Sequence, residues 1–261
     1  MAILLLRLAA PLQSWGDESK YNIRQTRLEP SKSGVLGLLA AALGLKRDSD
    51  EISSLSMALR MGIRVEMPGR IIMDYHIAHP PKYSDTGEVR YEENGRIMMD
   101  SDSYVTYRYY LSDACFLVGL ESEDNSLLER LEEALRSPCY PLYLGRRACP
   151  PVLPLCLGIR TGTLQEVMEQ EPWQASEWYR RRNGDARLRL MLETPKNKTA
   201  WYSLRDEPVS FSPIHRQYGP RGMEQERIVI KNDHVHDPMA ELDLLDMAGD
   251  DEEHVLVTHS D

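Results

Sequence analysis

The chain opens on an apolar run, residues 3–8, that stops at Pro11, the pattern of a short buried strand. A polar loop carrying Arg24 and Arg27 follows, and PSKSGVLGLLAAALGLKRD then predicts the first helix. Ser31 or Ser33 caps it, residues 35–43 form its body, and Gly44 stops it. Gly34, Gly37 and Ala40 give this helix a small-residue face for close packing. MALRMGIRVEM alternates, with Leu59, Met61, Ile63 and Val65 on one face and Arg60, Arg64 and Glu66 on the other, which predicts a half-buried strand. The turn signal MPGR then hands the chain to RIIMDYHIA, the expected partner of that strand.

Residues 80–103 are polar, and Asn94-Gly95 predicts a two-residue hairpin turn in an exposed, inserted arm. DACFLVGLE reads as another buried strand. NSLLERLEEALRSP is the clearest helix: Leu127, Leu128, Leu131, Ala134 and Leu135 make its apolar stripe, Asn125 or Ser126 caps it, and Pro138 ends it. YPLYLG is the expected last core strand. This order of elements suits an α+β chain with a ferredoxin-like (RRM-like) βαββαβ core over residues 1–158 and an arm inserted at about 80–103. Beyond Gly158, EWYRRRNGDARLRLMLE and AWYSLRDEPVSF suggest short antiparallel strands about an Asn183-Gly184 turn, hence a small β-rich part over 159–232. No repeat of fixed period is evident.

The length of 261 residues allows one large domain or two small ones. No apolar run approaches a membrane span. The start, MAILLLRLAAPLQSWG, has no basic leader and is broken by Arg7, which argues against a signal peptide and for a cytoplasmic protein. Cys115, Cys139, Cys149 and Cys156 show no C-x-x-C spacing, so they read as small reduced core residues; no metal or other cofactor is expected. The net charge of -10 is spread unevenly. Ten of the 41 acids lie in residues 233–261, which hold no Lys or Arg, leaving 31 acids against 31 basic residues in 1–232. The body is neutral and free to carry a basic patch; the tail is acidic. Within the tail, Met239, Leu242, Leu245 and Met247 stand near helical spacing, against the ordinary expectation of a solvated acidic run.

Two places attract anions. The start of the first helix offers free N–H groups and a dipole, with Lys32 beside Ser33 and Gly34, although a plain capped helix explains the same residues. The loop YLGRRACPP sets Arg146 and Arg147 after Gly145; paired guanidinium forks suit phosphate, and a surface pair bridging to acids suits the residues equally well. Two such sites on one sheet favour RNA. His76, beside Tyr75, is a candidate general base, but a lone His near a strand end is more often structural. No Ser or Cys nucleophile falls in a recognisable triad pattern, and the RNP1 pattern is missing.

The motifs LRLAAPLQSWG, PSKSGVLGLLAAALGLKRD, MDYH, TYRYYLSDACF, YLGRRACPP and LRDEP, in this order over roughly residues 1–232, resemble the CasD family, the RAMP-type subunits of type I-E CRISPR Cascade. The resemblance implies a ferredoxin-like core, a protruding thumb hairpin and a Gly-containing loop after the last core strand. It implies a non-catalytic subunit that binds the 5′ handle of crRNA beside the CasC backbone and the large subunit CasA, with other Cascade subunits and target DNA as indirect partners. Carried over by position, the RNA-binding residues are Arg24, Lys32, Ser33, Gly34, Gly145, Arg146 and Arg147, with Tyr75, His76 and Arg108 flanking the thumb. The alternative is a metal-independent endoribonuclease, as in type I-C relatives, for which Tyr75, His76 and Lys82 are the available set. The thumb, longer and more acidic than the family pattern, and the tail after Asn232 depart from the resemblance.

Overall fold

The computed structural model describes residues 1–16, 22–47, 49–195, 197–211 and 217–232. The acidic tail, with the helix expected around its Met and Leu positions, lies outside them. Along the chain run β1 (Ala2–Ala9), β2 (Leu12–Gln13), β3 (Trp15–Gly16), β4 (Ile23–Arg24), β5 (Thr26–Arg27), α1 (Lys32–Leu43), α2 (Asp50–Ala58), β6 (Arg60–Met67), β7 (Arg70–Ala78), β8 (Tyr104–Ser112) and β9 (Cys115–Ser122). They are followed by α3 (Asn125–Arg136), β10 (Cys156–Thr161), α4 (Leu164–Gln170), α5 (Glu177–Arg181), β11 (Ala186–Glu193), β12 (Tyr202–Ser210) and β13 (Gln217–Ile230). The fold is mixed α+β around a seven-stranded antiparallel sheet in the order β10-β1-β9-β6-β11-β13-β12.

β1 and β9 are apolar on both sides, apart from Arg7, Glu121 and Ser122, because both faces of the sheet are covered there. On one face, Leu4, Leu6, Leu8, Phe116 and Val118 pack with Leu36 and Leu39 of α1 and Leu128 and Leu131 of α3. On the other, Ile3, Leu5 and Leu117 meet Leu164 and Met168 of α4. Ser31 caps α1 and Gly44 ends it in the left-handed conformation at φ 75°, as its sequence predicts. α3 runs as expected, with Asp124 as its cap in place of Asn125 or Ser126. α2, α4 and α5 have no counterpart among the elements expected from sequence.

Several expectations are corrected. Arg64 and Glu66 do not face solvent, because β6 is covered on both faces. Arg64 is fully buried, pairs with Glu66, and donates to the carbonyls of Met168, Glu171 and Pro172 at 2.6, 2.7 and 2.8 Å, closing the C-terminal end of α4. β7 pairs with β8 and not with β6, so the arm begins at Arg70 and not near residue 80. YPLYLG forms no strand; Leu144 is buried in the core and Leu142 packs against it. The strand beside β1 is β10, so the Gly-Arg-Arg loop precedes the last of the first four core strands. EWYRR is helical, and β11 starts after Asn183-Gly184.

At the arm tip, the turn closes over three residues, 93–95, with Glu92 N–H donating to Arg96 O and Gly95 N–H to Glu92 O. Gly95 has φ 80°, the left-handed residue such a loop needs, so the two-residue turn is also corrected. Three short segments close a ring: Arg90 N–H donates to Lys82 O, Met98 N–H to Arg90 O, and Lys82 N–H to Met98 O, at 2.9, 2.9 and 2.8 Å. The donors recur every eight residues, a short repeat that the composition hides.

Candidate nucleic-acid interface

The Arg146-Arg147 loop is held by backbone. Ser14 N–H donates to Leu144 O at 3.1 Å, Leu144 N–H to Cys149 O at 2.7 Å, and Cys149 N–H to Arg146 O at 2.9 Å. Gly145 has φ 89°, and a Cβ there would lie 1.6 Å from the Ser14 carbonyl oxygen. Only glycine allows this approach.

Arg146 leans on the foot of the arm. Its Nη2 donates to the Arg24 carbonyl at 3.0 Å, and its guanidinium carbon lies 4.6 Å from the centroid of the buried Tyr110 ring. Nη1 of Arg146 is buried without a hydrogen-bond partner. β4 runs parallel to β8, with Arg24 opposite Arg108, and Asn22 O accepts from Tyr107 N–H at 2.8 Å. Residues of β8 two apart share a face, so Arg108 lies on the Tyr110 side. The exposed Arg147 makes no ion pair with a described residue. Arg24, Arg108, Arg146 and Arg147 thus stand on adjoining segments where the arm leaves the body.

The start of α1 is different. Its anion is internal: the Asp206 carboxylate accepts from Lys32 N–H at 2.9 Å. The Lys32 side chain is buried, its Nζ 3.0 Å from Glu193 and 2.9 Å from Glu207. Arg221 completes the cluster with two bonds to Asp206, at 2.9 and 2.7 Å. Burial acts to raise the Asp206 carboxyl, but the hydrogen bonds and charge of Arg221 outweigh it and hold the group below the usual range. Ser33 Oγ donates to Ser31 Oγ, and Gly34 makes room for the Trp15 ring. Lys32 is therefore spent on an internal ion-pair cluster and Gly34 on packing against Trp15, while Ser33 is half-exposed at the helix start.

Tyr75 and His76 lie further out on β7. Tyr75 is opposite Tyr107, ring centroids 5.5 Å apart, and His76 is opposite Thr106. As neighbours on a strand they project to opposite faces of the ribbon. Lys82 lies in the tip. Sequence reasoning missed Tyr110, the platform for Arg146, and Gln13, whose amide donates to Leu8 O and Ala114 O and accepts from the Trp15 indole. The signal was there: a polar Gln-Ser pair directly after an apolar strand. Burial pushes the Cys115 thiol up to about 12, and all four cysteines are free. No described helix is long and apolar enough to cross a membrane.

The model of the family described as CRISPR-associated protein (Cas_Cas5) matches residues 3–224. The CRISPR system Cascade subunit CasD of Escherichia coli (strain K12) is 33% identical over 227 residues, covering 84% of this chain and 92% of that protein. A chain from a solved structure described as "CRISPR RNA-guided surveillance complex" superposes with a TM-score of 0.68 at 29% identity, covering 89% of this chain and 92% of its own. Another, described as "Crystal structure of Cas protein", gives 0.62 at 36% identity, with 89% and 97% covered. The resemblance read from the motifs thus extends to the whole body of the protein, and the chain belongs to the Cas5 family of CRISPR-associated proteins.

Proposed function

We propose that this chain is a non-catalytic RNA-binding subunit of a type I-E CRISPR Cascade complex, holding the 5′ handle of crRNA. The observation that carries the reading is the placement of Arg24, Arg108, Arg146 and Arg147 on adjoining segments at the foot of an exposed arm, in a body with no net charge. The guanidinium of Arg146, which leans on the Tyr110 ring and the Arg24 carbonyl, is preorganised for phosphate oxygens. The sheet order β10-β1-β9-β6, with α1 and α3 as crossovers on one face, supports a ferredoxin-like RAMP core. The arm is the natural contact for the CasC backbone, with CasA as a neighbour: its β7 side chains Ile71, Met73, Tyr75 and Ile77 are about half exposed on one ribbon face.

The endoribonuclease alternative requires Tyr75, His76 and Lys82 to act on one 2′-hydroxyl. The opposite faces of Tyr75 and His76 speak against it. The direct test is to purify the chain from its host with whatever it carries, sequence the RNA and weigh the proteins. Guide RNAs sharing one 5′ end, with backbone and large subunits present, are expected. Co-purification without RNA, or with random RNA only, contradicts the reading.

A further inference from the structure

β6 and β11 are paired only between 62–65 and 189–192. Beyond Val65 the strands part, leaving a cleft of about 380 Å³ whose lining includes Arg187, Arg189 and Arg227. Arg189 and Arg227 are direct cross-strand partners, a like-charge arrangement that destabilises a sheet unless anions lie close by. Arg189 pairs with Glu29. Arg187 and Arg227 are exposed and make no ion pair with any described residue. Alternation along β13 turns Glu224 and Glu226 to the opposite face, where they offer these arginines nothing. Beside the cleft, α5 adds Arg180, whose Nε is buried without a partner, and Arg182 lies over the Trp178 ring.

The described chain ends at this rim. The buried Asn232 donates its backbone N–H to Asp185 at 3.1 Å and its side-chain amide to the carbonyls of Arg180 and Asn183, both at 2.6 Å. Asn183 and Asp185 line the cleft. Val229, opposite Arg187, is only three residues before Asn232, so the next residues start within a few ångströms per residue of the arginines. Residues 233–261 carry ten acids and no Lys or Arg, in a chain whose remainder is neutral. The family match covers residues 3–224 and does not include this segment. A tether this short presents its charges at roughly millimolar effective concentration.

We infer that residues 233–261 dock on the Arg187–Arg227 face of their own chain, as an intramolecular polyanion. The contact is electrostatic, exposed and therefore salt-sensitive. Any other polyanion reaching that face must displace it.

The test uses the full-length chain in four forms: wild type, R187E/R227E, a variant with every Asp and Glu of 233–261 replaced by Asn or Gln, and the combination. Thermal melting at low salt reads a double-mutant cycle that contains no RNA, so its result is independent of the proposed function. Charge reversal is expected to lower Tm by about 2–4 °C more in the acidic-tail chain than in the neutral-tail chain, and this coupling is expected to vanish at about 0.5 M salt. In parallel, a single-stranded RNA of unrelated sequence should bind the neutral-tail chain about tenfold more tightly than wild type at low salt, with no gain in the R187E/R227E background. Additive Tm shifts, or a coupling that survives high salt, overturn the docking. An RNA affinity that falls on charge reversal, with additive Tm shifts, overturns it too and assigns the arginine face to nucleic acid instead.

Discussion

Gly145 passes so close to Ser14 that a single methyl group at position 145 would overlap the Ser14 carbonyl oxygen. The close approach fixes the arginine loop against the segment joining β2 and β3. Gly145→Ala is therefore expected to destabilise by more than about 1 kcal/mol, through both the positive φ and the clash. It should also weaken RNA binding with Arg146 and Arg147 still present. Melting and RNA titration of the same variant check both; wild-type behaviour in each would show that the loop has another way to sit.

Asp206 stands between Lys32 N–H and Arg221, almost fully buried. Its carboxyl is held below the ordinary value, so the stability it supplies is complete above the unfolded carboxylate pKa near 4 and is lost as pH falls through the lower folded value. Asp206→Asn should cost about 3 kcal/mol at neutral pH, because the buried Arg221 would keep only its 3.5 Å contact with Glu193. It should also remove part of the loss of stability on acidification below about pH 4. Tm measured across pH for both chains checks this; parallel acid limbs would contradict it.

Lys32 provides a contrasting case. Its charge is spent on Glu193 and Glu207, so Lys32→Met should lower Tm while leaving the salt dependence of RNA binding unchanged. A flatter salt dependence would return Lys32 to the RNA face.

The elements that were legible in the sequence are those whose signals are local. α1 carries its own cap and stop, α3 its own apolar stripe, and β1 and β9 are predominantly apolar runs. Arg24, Arg146 and Arg147 were legible as candidates because charge stands out in a neutral body. What stayed hidden depends on distant partners. Lys32 looks solvated until Glu193 and Glu207 arrive from 161 and 175 positions away. Arg64 looks outward-facing until α4 presents its free carbonyls. The alternation of β7 is that of a half-buried strand, yet nothing in it says that its partner is β8 and not the adjacent β6. β13 is polar enough to escape notice because much of it is only half covered.

The arm should be separable from the core above its buried foot, Tyr110 and Leu111. Replacing residues 79–103 by a short Gly-Ser linker is expected to leave cooperative unfolding intact, with Tm within about 4 °C of wild type, and to weaken joining of the CasC backbone without abolishing it, because Ile71, Met73, Tyr75 and Ile77 of β7 remain. Loss of cooperativity in the isolated variant would place the tip in the core.

Precursor RNA incubated with the pure chain, with or without metal, should remain uncut. Site-specific cleavage that leaves a cyclic phosphate, and that His76→Ala abolishes, would replace the binding reading with the enzymatic one.

Whether the arginine loop grips RNA backbone is decided by the salt dependence of guide-RNA affinity, compared between wild type and Arg146→Ala/Arg147→Ala. The double variant is expected to bind more weakly, with its log–log slope flatter by about 0.7 for each single-strand phosphate that is no longer neutralised. An unchanged affinity and slope would contradict the clamp and leave the two arginines as a surface pair.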